Sequence, residues 1–281
     1  MDRITLRKVQ LEQLELAKEI KRVCKILGIK YFLDSGTLLG AIRHNGFIPW
    51  DDDLDIGMLR SDYDRFLNEA PQLLNKQFFL QSWFSDQSYG WGFAKLRKKD
   101  TVYKEKAAPN SSEFNGFYID IFPYDNYPNS KKEQKRQKWK YDFYRRCILV
   151  KKGYKPWLMS NNKLHKILKC FFYLPIKVIA AFFSTQKMIT MFETISQKHN
   201  SQSTEYVFCN SNENYAKIVL PRCVIENLTT HKFEDDEFYI PENWDLYLKT
   251  VYGEYMTLPP LEQRENRHKI IEVKFSNSDK Q

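Results

Sequence analysis

The chain is poor in cysteine. It has five in 281 residues, an odd number with no C-x-x-C pair. That spacing excludes a disulfide framework and a thiolate zinc site. Cys24, Cys147 and Cys170 sit in apolar company, as inert core thiols do, and a reducing cytoplasm is the expected compartment. Met1 to Lys30 is charged throughout, so a signal peptide is not expected. No stretch accumulates the ~18 uninterrupted apolar residues of a membrane span. There is no ribonucleoprotein motif and no glycine-rich clamp, so nucleic acid is not an expected partner.

What is present is globular and aromatic, with 42% hydrophobic residues, 15% aromatic residues and a formal net charge of +9. That length supports one large domain or a catalytic core with an insertion, and the basic balance suits an anionic partner.

The stretch Tyr31 to Met58 carries the chemistry. Tyr31-Phe32-Leu33 is a short apolar run fit for a buried strand. Asp34-Ser35-Gly36 breaks it, and Thr37 to Arg43 reads as a short helix capped by Ser35. Beyond Pro49, Asp51-Asp52-Asp53-Leu54-Asp55-Ile56-Gly57-Met58 reads as a strand. Alternation puts Asp51, Asp53 and Asp55 on one face and Leu54, Ile56 and Met58 in a core. Carboxylates so crowded repel one another, and a divalent cation such as Mg²⁺ or Mn²⁺ relieves this. The Ser35-Gly36 turn offers helix N–H groups to a phosphate. A phosphate-holding helix start followed by D-x-D is a nucleotidyltransferase layout, in which two ions flank the transferred phosphoryl group. Phe117-Tyr118-Ile119-Asp120-Ile121-Phe122-Pro123 supplies the further carboxylate, Asp120, on a neighbouring strand.

These residues resemble a known family. DSGTLLGAIRHNGFIPWDDDLDIGM is similar to the signature of the LicD family, the phosphocholine transferases of bacterial surface glycans, whose distant animal relatives fukutin and fukutin-related protein transfer ribitol phosphate. GFYIDIFPYD matches a second block, and YGEYMTLPP with its basic tail a third. The resemblance covers residues 1 to about 125 and about 230 to 270. It implies a nucleotidyltransferase-like fold, a CDP-linked donor and divalent metal, with Asp51, Asp53 and Asp55 on the acidic strand and Asp120 as the later carboxylate. It also raises His44 beside Arg43, and implies that Arg264, Arg267 and His268 return to the site.

Along the rest of the chain, Leu16, Ile20, Val23 and Leu27 mark an amphipathic helix over residues 9 to 27, stopped by Gly28. Ser61-Asp62-Tyr63-Asp64 resembles a capped helix start running to Glu69. Phe78 to Leu80, Gly92 to Arg97 and Thr101 to Tyr103 read as strands extending one sheet. Lys95 and Arg97 share a face, which reads either as solvated or as a cationic pair for the donor's diphosphate. Residues 130 to 152 turn strongly basic with aromatics interleaved. Residues 164 to 183 are apolar but interrupted by Lys166, Lys169 and Lys177. Two readings fit them: a buried helical hairpin, or helices lying on an anionic membrane surface. Residues 201 to 224 are irregular around two short strands, and the acids of 234 to 237 read as an exposed turn. Trp244 to Tyr252 forms a last helix stopped by Gly253.

The expectation is therefore an α+β protein: a nucleotidyltransferase-like mixed sheet flanked by helices over residues 1–128, a basic helical insertion over 129–203, and a C-terminal segment, 204–281, returning to the core. The activity expected from the resemblance is metal-dependent transfer of phosphocholine from CDP-choline to a sugar hydroxyl of a surface glycan or lipid-linked glycan. Asp53, Asp55 and Asp120 are its catalytic residues, and Ser35, Gly36, Arg43, His44, Lys95, Arg97, Arg267 and His268 contact substrate. The location expected is cytoplasmic, peripheral to the inner face of the membrane. Ribitol- or glycerol-phosphate transfer, transfer of the nucleotide itself, and a non-catalytic basic scaffold stay open. Tyr89, Trp91, Tyr118, Tyr124 and Tyr127 are candidates for an aromatic box around choline.

Overall fold

The computed structural model describes residues 2–105, 114–153, 162–211, 215–265, 268 and 270–276. Helix α1 (Arg3–Leu27) starts on the Asp2 carboxylate, which accepts from the Ile4 and Thr5 N–H groups, and ends on left-handed Gly28. Its apolar face, with Leu16, Ile20 and Val23 buried, lies against the core of the sheet.

Strand β1 (Phe32–Leu33), helix α2 (Ser35–His44), strand β2 (Asp55–Leu59) and helix α3 (Arg60–Glu69) follow. Next come β3 (Phe78–Gln81), β4 (Ala94–Lys98), β5 (Val102–Glu105) and the ten-residue β6 (Tyr118–Tyr127). The seven-stranded sheet runs β1-β2-β6-β4-β3, and the far half of β6 also pairs β7 (Tyr206–Cys209), which pairs β8 (Val219–Pro221). β2 and β6 are parallel, and the other pairings are antiparallel. β6 can serve three neighbours because it is long: its first half lies between β2 and β4, and its second meets β7. The architecture is α+β, a mixed sheet flanked by helices.

Three local expectations are corrected. The strand does not extend back to Asp51. Regular pairing begins at Asp55, and Asp51 to Asp53 form the loop before it. Leu54, Ile56 and Met58 do enter the core, but Asp52 is buried as well, so simple alternation fails where no ladder enforces it. Helix α2 is capped by Asp34 rather than Ser35, and α3 starts at Arg60 without a side-chain cap. β5 leaves the main sheet and pairs instead with β11 (Ile270–Lys274), so the C-terminal segment is stitched beside the acids.

Helix α7 (Arg222–Glu226), the hairpin β9 (Leu228–Phe233) and β10 (Asp236–Pro241), and helix α8 (Trp244–Tyr252), stopped at Gly253, close the far side of α2. The acidic turn of that hairpin is a clasp on α1 as well as a surface feature. Glu234 bridges Arg7 at 2.6 Å, Asp235 bridges Lys18 at 2.8 Å, and Asp236 bridges Lys21 at 2.6 Å.

Between β6 and β7 stand α4 (Lys131–Lys151), α5 (Lys163–Ala181) and α6 (Thr185–Ser196). A second apolar cluster of Tyr141, Cys147, Ile148, Ile176, Met188 and Phe192 joins them to the sheet side at Trp83 and Phe208. Arg60 ties the two parts: its guanidinium donates to both Asp125 oxygens, at 2.8 and 2.6 Å, and to Glu193 of α6 at 3.3 Å. α5 does not form a buried hairpin, since Ile176 and Ala180 are its only buried residues, and Cys170 is exposed where a core thiol was expected.

Candidate active site

The acids converge where β2 and β6 run side by side. Asp55 and Asp120 are register partners on these parallel strands. The Asp34 N–H donates to the Asp55 carbonyl at 3.0 Å, and the Asp55 N–H donates to Thr37 Oγ1 at 2.8 Å, so the start of α2 is fixed to the same point. Burial drives the Asp55 carboxyl well above its ordinary range, and Asp53, Asp120, Asp34 and Asp51 push it further. Asp120 is also raised, by burial first, although the Lys95 ammonium, donating to it at 2.6 Å, draws it back down.

One carboxylate oxygen from each of Asp51, Asp52 and Asp53 lies within 4.8 Å of the others. All are hard oxygen donors, the set a divalent cation such as Mg²⁺ prefers. The chain also makes room for them: a Cβ on residue 36 would stand 2.9 Å from Asp51 Oδ2, so Gly36 lets that carboxylate sit against the start of α2. The three acids can hold a metal ion.

Asp52 is braced from behind. Its Oδ1 faces His268 Nδ1 at 3.1 Å, and its backbone carbonyl accepts from the Tyr103 hydroxyl at 3.0 Å and from Gln13 Nε2 at 2.9 Å. Gln10 holds the Asp51 carbonyl at 2.9 Å. Burial alone would lower the His268 pKa, but the hydrogen bond to Asp52 and the charges of Asp53, Asp52 and Glu105 raise it to about 9. The imidazole is therefore a cation at neutral pH. Glu105 adds another carboxylate nearby. It accepts from the Tyr118 hydroxyl at 2.5 Å, and although burial raises it, Lys95 and His268 hold it below the usual range.

The remaining expected residues are placed as follows. Asp34, fully buried, accepts from Tyr124 at 2.8 Å, from Tyr247, and from the Ser35 N–H at 2.9 Å, with Tyr247 a second neighbour of that N–H at 3.2 Å. Ser35 therefore does not offer a free N–H to a phosphate, and Asp51 occupies the approach at Gly36. Lys95 and Arg97 are buried rather than solvated. Arg97 is spent on Gln81 and on the Gly116 carbonyl at 2.9 Å, while Lys95 sits on Asp120, 3.5 Å above the Tyr118 ring. Arg43 donates to the Tyr255 carbonyl at 2.8 Å and to His44 at 3.0 Å, and His44 meets Trp50 edge-on. Arg264 lies 5.2 Å over Trp50, and Arg267 is outside the described residues. A cleft of about 920 Å³ lined by Arg3, Arg7, Trp50, Arg264 and His268 opens beside the acidic loop.

Three of the five candidates for an aromatic box are engaged elsewhere: Tyr118 lies under Lys95, Tyr124 serves Asp34, and Tyr127 packs on Phe208 and Tyr215, while Tyr89 and Trp91 both stand beside Phe93. Asp52, Tyr103, Glu105, Gln10 and Gln13 escaped sequence reasoning. The glutamines left a signal, two amides three residues apart on the largely apolar buried face of α1.

Residues 28–160 match the family described as LicD/FKTN/FKRP, nucleotidyltransferase domain. The lipopolysaccharide cholinephosphotransferase LicD of Haemophilus influenzae is 28% identical over 282 aligned positions, covering 95% of this chain and 97% of that protein. The human ribitol 5-phosphate transferase FKRP is 28% identical over 116 residues, 41% of this chain and 20% of that one. The mouse ribitol-5-phosphate transferase FKTN is 40% identical over 63 residues, 22% of this chain and 13% of that one. With its acids on β2 and β6 inside the matched segment, residues 28–160 of this chain form a LicD/FKTN/FKRP nucleotidyltransferase domain.

Proposed function

We propose that the chain transfers phosphocholine from CDP-choline to a sugar hydroxyl of a cell-surface glycan, releasing CMP. The observation that carries a phosphotransfer reading is the joining of Asp55 and Asp120 across β2 and β6 with Asp51 to Asp53 beside them. Full-length similarity to a cholinephosphotransferase favours choline as the head group. Two divalent ions, Mg²⁺ or Mn²⁺, held by Asp51, Asp53, Asp55 and Asp120, would neutralise the donor diphosphate and the departing CMP.

The chain's own residues do the rest. Lys95 is locked on Asp120 and adds a fixed positive charge beside it, where charge develops on the phosphoryl group. Asp120, on the strand beside Asp55, is the carboxylate that would accept the hydrogen of the acceptor hydroxyl. His268 and Tyr103 hold Asp52 and so fix the loop carrying Asp51 and Asp53. Arg3, Arg264 and Trp50 line a cleft with the charge and stacking surface a nucleotide requires, and Arg7 at its wall is held by Glu234.

The test offers CDP-choline, CDP-ribitol, CDP-glycerol, CTP and ATP in turn with Mg²⁺. CMP from CDP-choline in preference to either alditol donor supports the reading. Preference for an alditol donor moves the head group and keeps the chemistry, whereas pyrophosphate from CTP or ATP replaces the chemistry with nucleotide transfer.

A further inference from the structure

The face of α5 turned away from the protein is apolar and bare. Leu164, Ile167, Leu168, Phe171, Phe172, Leu174, Val178, Ile179, Phe182 and Phe183, the last two just past its end, are all exposed, with Phe171 at 69% and Phe182 at 81%. At about 100° per residue they fall on one arc covering roughly half the helix circumference. Ile176 and Ala180, the buried pair, lie outside that arc. A patch of this kind on a water-soluble surface marks an interaction site.

Charge identifies the occupant. α5 contains no acid, and Lys163 and Lys177 lie toward one border of the apolar arc and Lys169 toward the other, with Lys166 on the back of the helix. The neighbouring α4 adds Lys131, Lys132, Lys135 and Lys140, while its Arg136 and Lys138 are met by Glu133 and Asp142, and Arg146 reaches over the Phe172 ring at 5.3 Å. A protein groove would leave those cations in search of acids, whereas an anionic bilayer presents phosphates at the rim and acyl chains below. Spanning is disfavoured by the geometry. No single helix among the described residues is long and apolar enough to cross, and the pair α5–α6 that passes on composition is bent by 107°. Its α6 half is buried against α4 and the sheet through Met188, Ile189 and Phe192.

We infer that α5 is a membrane-docking helix that lies flat in the headgroup region of an anionic lipid surface, its phenylalanines and leucines inserted and the lysines of α4 and α5 on the phosphates. The site stands clear of the acids, so it neither needs nor supports the reaction proposed above.

Flotation of the full chain with vesicles tests it. Binding to phosphatidylglycerol–phosphatidylcholine vesicles at low salt should exceed binding to phosphatidylcholine alone by at least about tenfold and fall as salt screens the lysines. Lys163→Gln with Lys169→Gln should weaken it about 30-fold, and Phe171→Asp with Phe182→Asp should abolish it. Circular dichroism and CMP release in solution, unchanged in each variant, exclude misfolding as the cause. Three results overturn the inference: binding that survives the phenylalanine changes, resistance to alkaline carbonate as a spanning segment shows, or a dimer in solution that dissociates with Phe171→Asp.

Discussion

The sheet and the helical arm treat their unfavourable residues in opposite ways. Around β2 and β6, carboxylates that repel one another are gathered, covered and braced by Lys95, His268, Tyr103 and two glutamines. Along α5, phenylalanines and leucines that water disfavours stand uncovered. In both places folding alone would choose otherwise, and both the metal reading and the docking reading rest on that local cost. The chemistry differs: concentrated negative charge calls for a cation, and exposed apolar surface calls for an apolar phase.

The largest expected effect falls on the acids. Asp53→Asn or Asp55→Asn should reduce transfer at least ~10²–10³-fold. Asp55→Asn should also leave the melting temperature unchanged or raised, because a carboxyl whose pKa is raised in the fold disfavours folding once ionised. Retained turnover would take these residues out of the site. A lower melting temperature would show that Asp55 is structural, and the contrast with the arm would fail.

Next comes the link between the two regions. Arg60→Ala leaves Asp125 buried without its cation and should cost about 3–5 kcal/mol in denaturant unfolding. A change too small to resolve would mean that the sheet and arm are stabilised independently.

Asp52→Asn or His268→Ala should cost transfer about 10–100-fold, the range of a partner that orients ligands. The same pair sets a pH dependence in chelator-treated protein. His268 titrates at about 9 in the fold against 6.5 for the free side chain. Its contribution is therefore complete below pH 6.5 and lost as pH rises through about 9. Asp55, raised in the fold, acts in the same direction. Thermal melts from pH 6 to 10 should thus fall more steeply in the native chain than in His268→Ala, and parallel curves would dismiss the pair. Smallest of all, Asp235→Asn should barely alter activity, since Asp235 is 68% exposed beside Lys18.

Much of the sheet was legible because its strands obey local rules. Phe78 to Leu80 and Tyr206 to Phe208 announce themselves by composition, and Gly28 and Gly253 end their helices as glycines do. The acids were legible for a different reason: a run of carboxylates continuing into apolar residues has few structural uses. What stayed hidden depends on contacts far apart in the chain. Asp52 turns inward because His268, 216 positions later, meets it. β5 leaves the sheet because β11 is available to pair. Lys95 and Arg97 follow strand periodicity, but no period reveals that both faces of β4 are covered. α5 could be read either as a buried hairpin or as a surface helix until its neighbours were known.

Arg60 is the first residue after β2 ends, and through it Glu193 on α6 and Asp125 on β6 are joined to the strand that begins with Asp55. This makes a short lever. A load applied to the helical arm, as when α5 is held at a surface, reaches the strand of Asp55 through that guanidinium and the apolar cluster beside it rather than through a flexible linker. Removing that guanidinium should therefore loosen the arm's hold on the strand of acids while the apolar cluster around Phe192 stays in place.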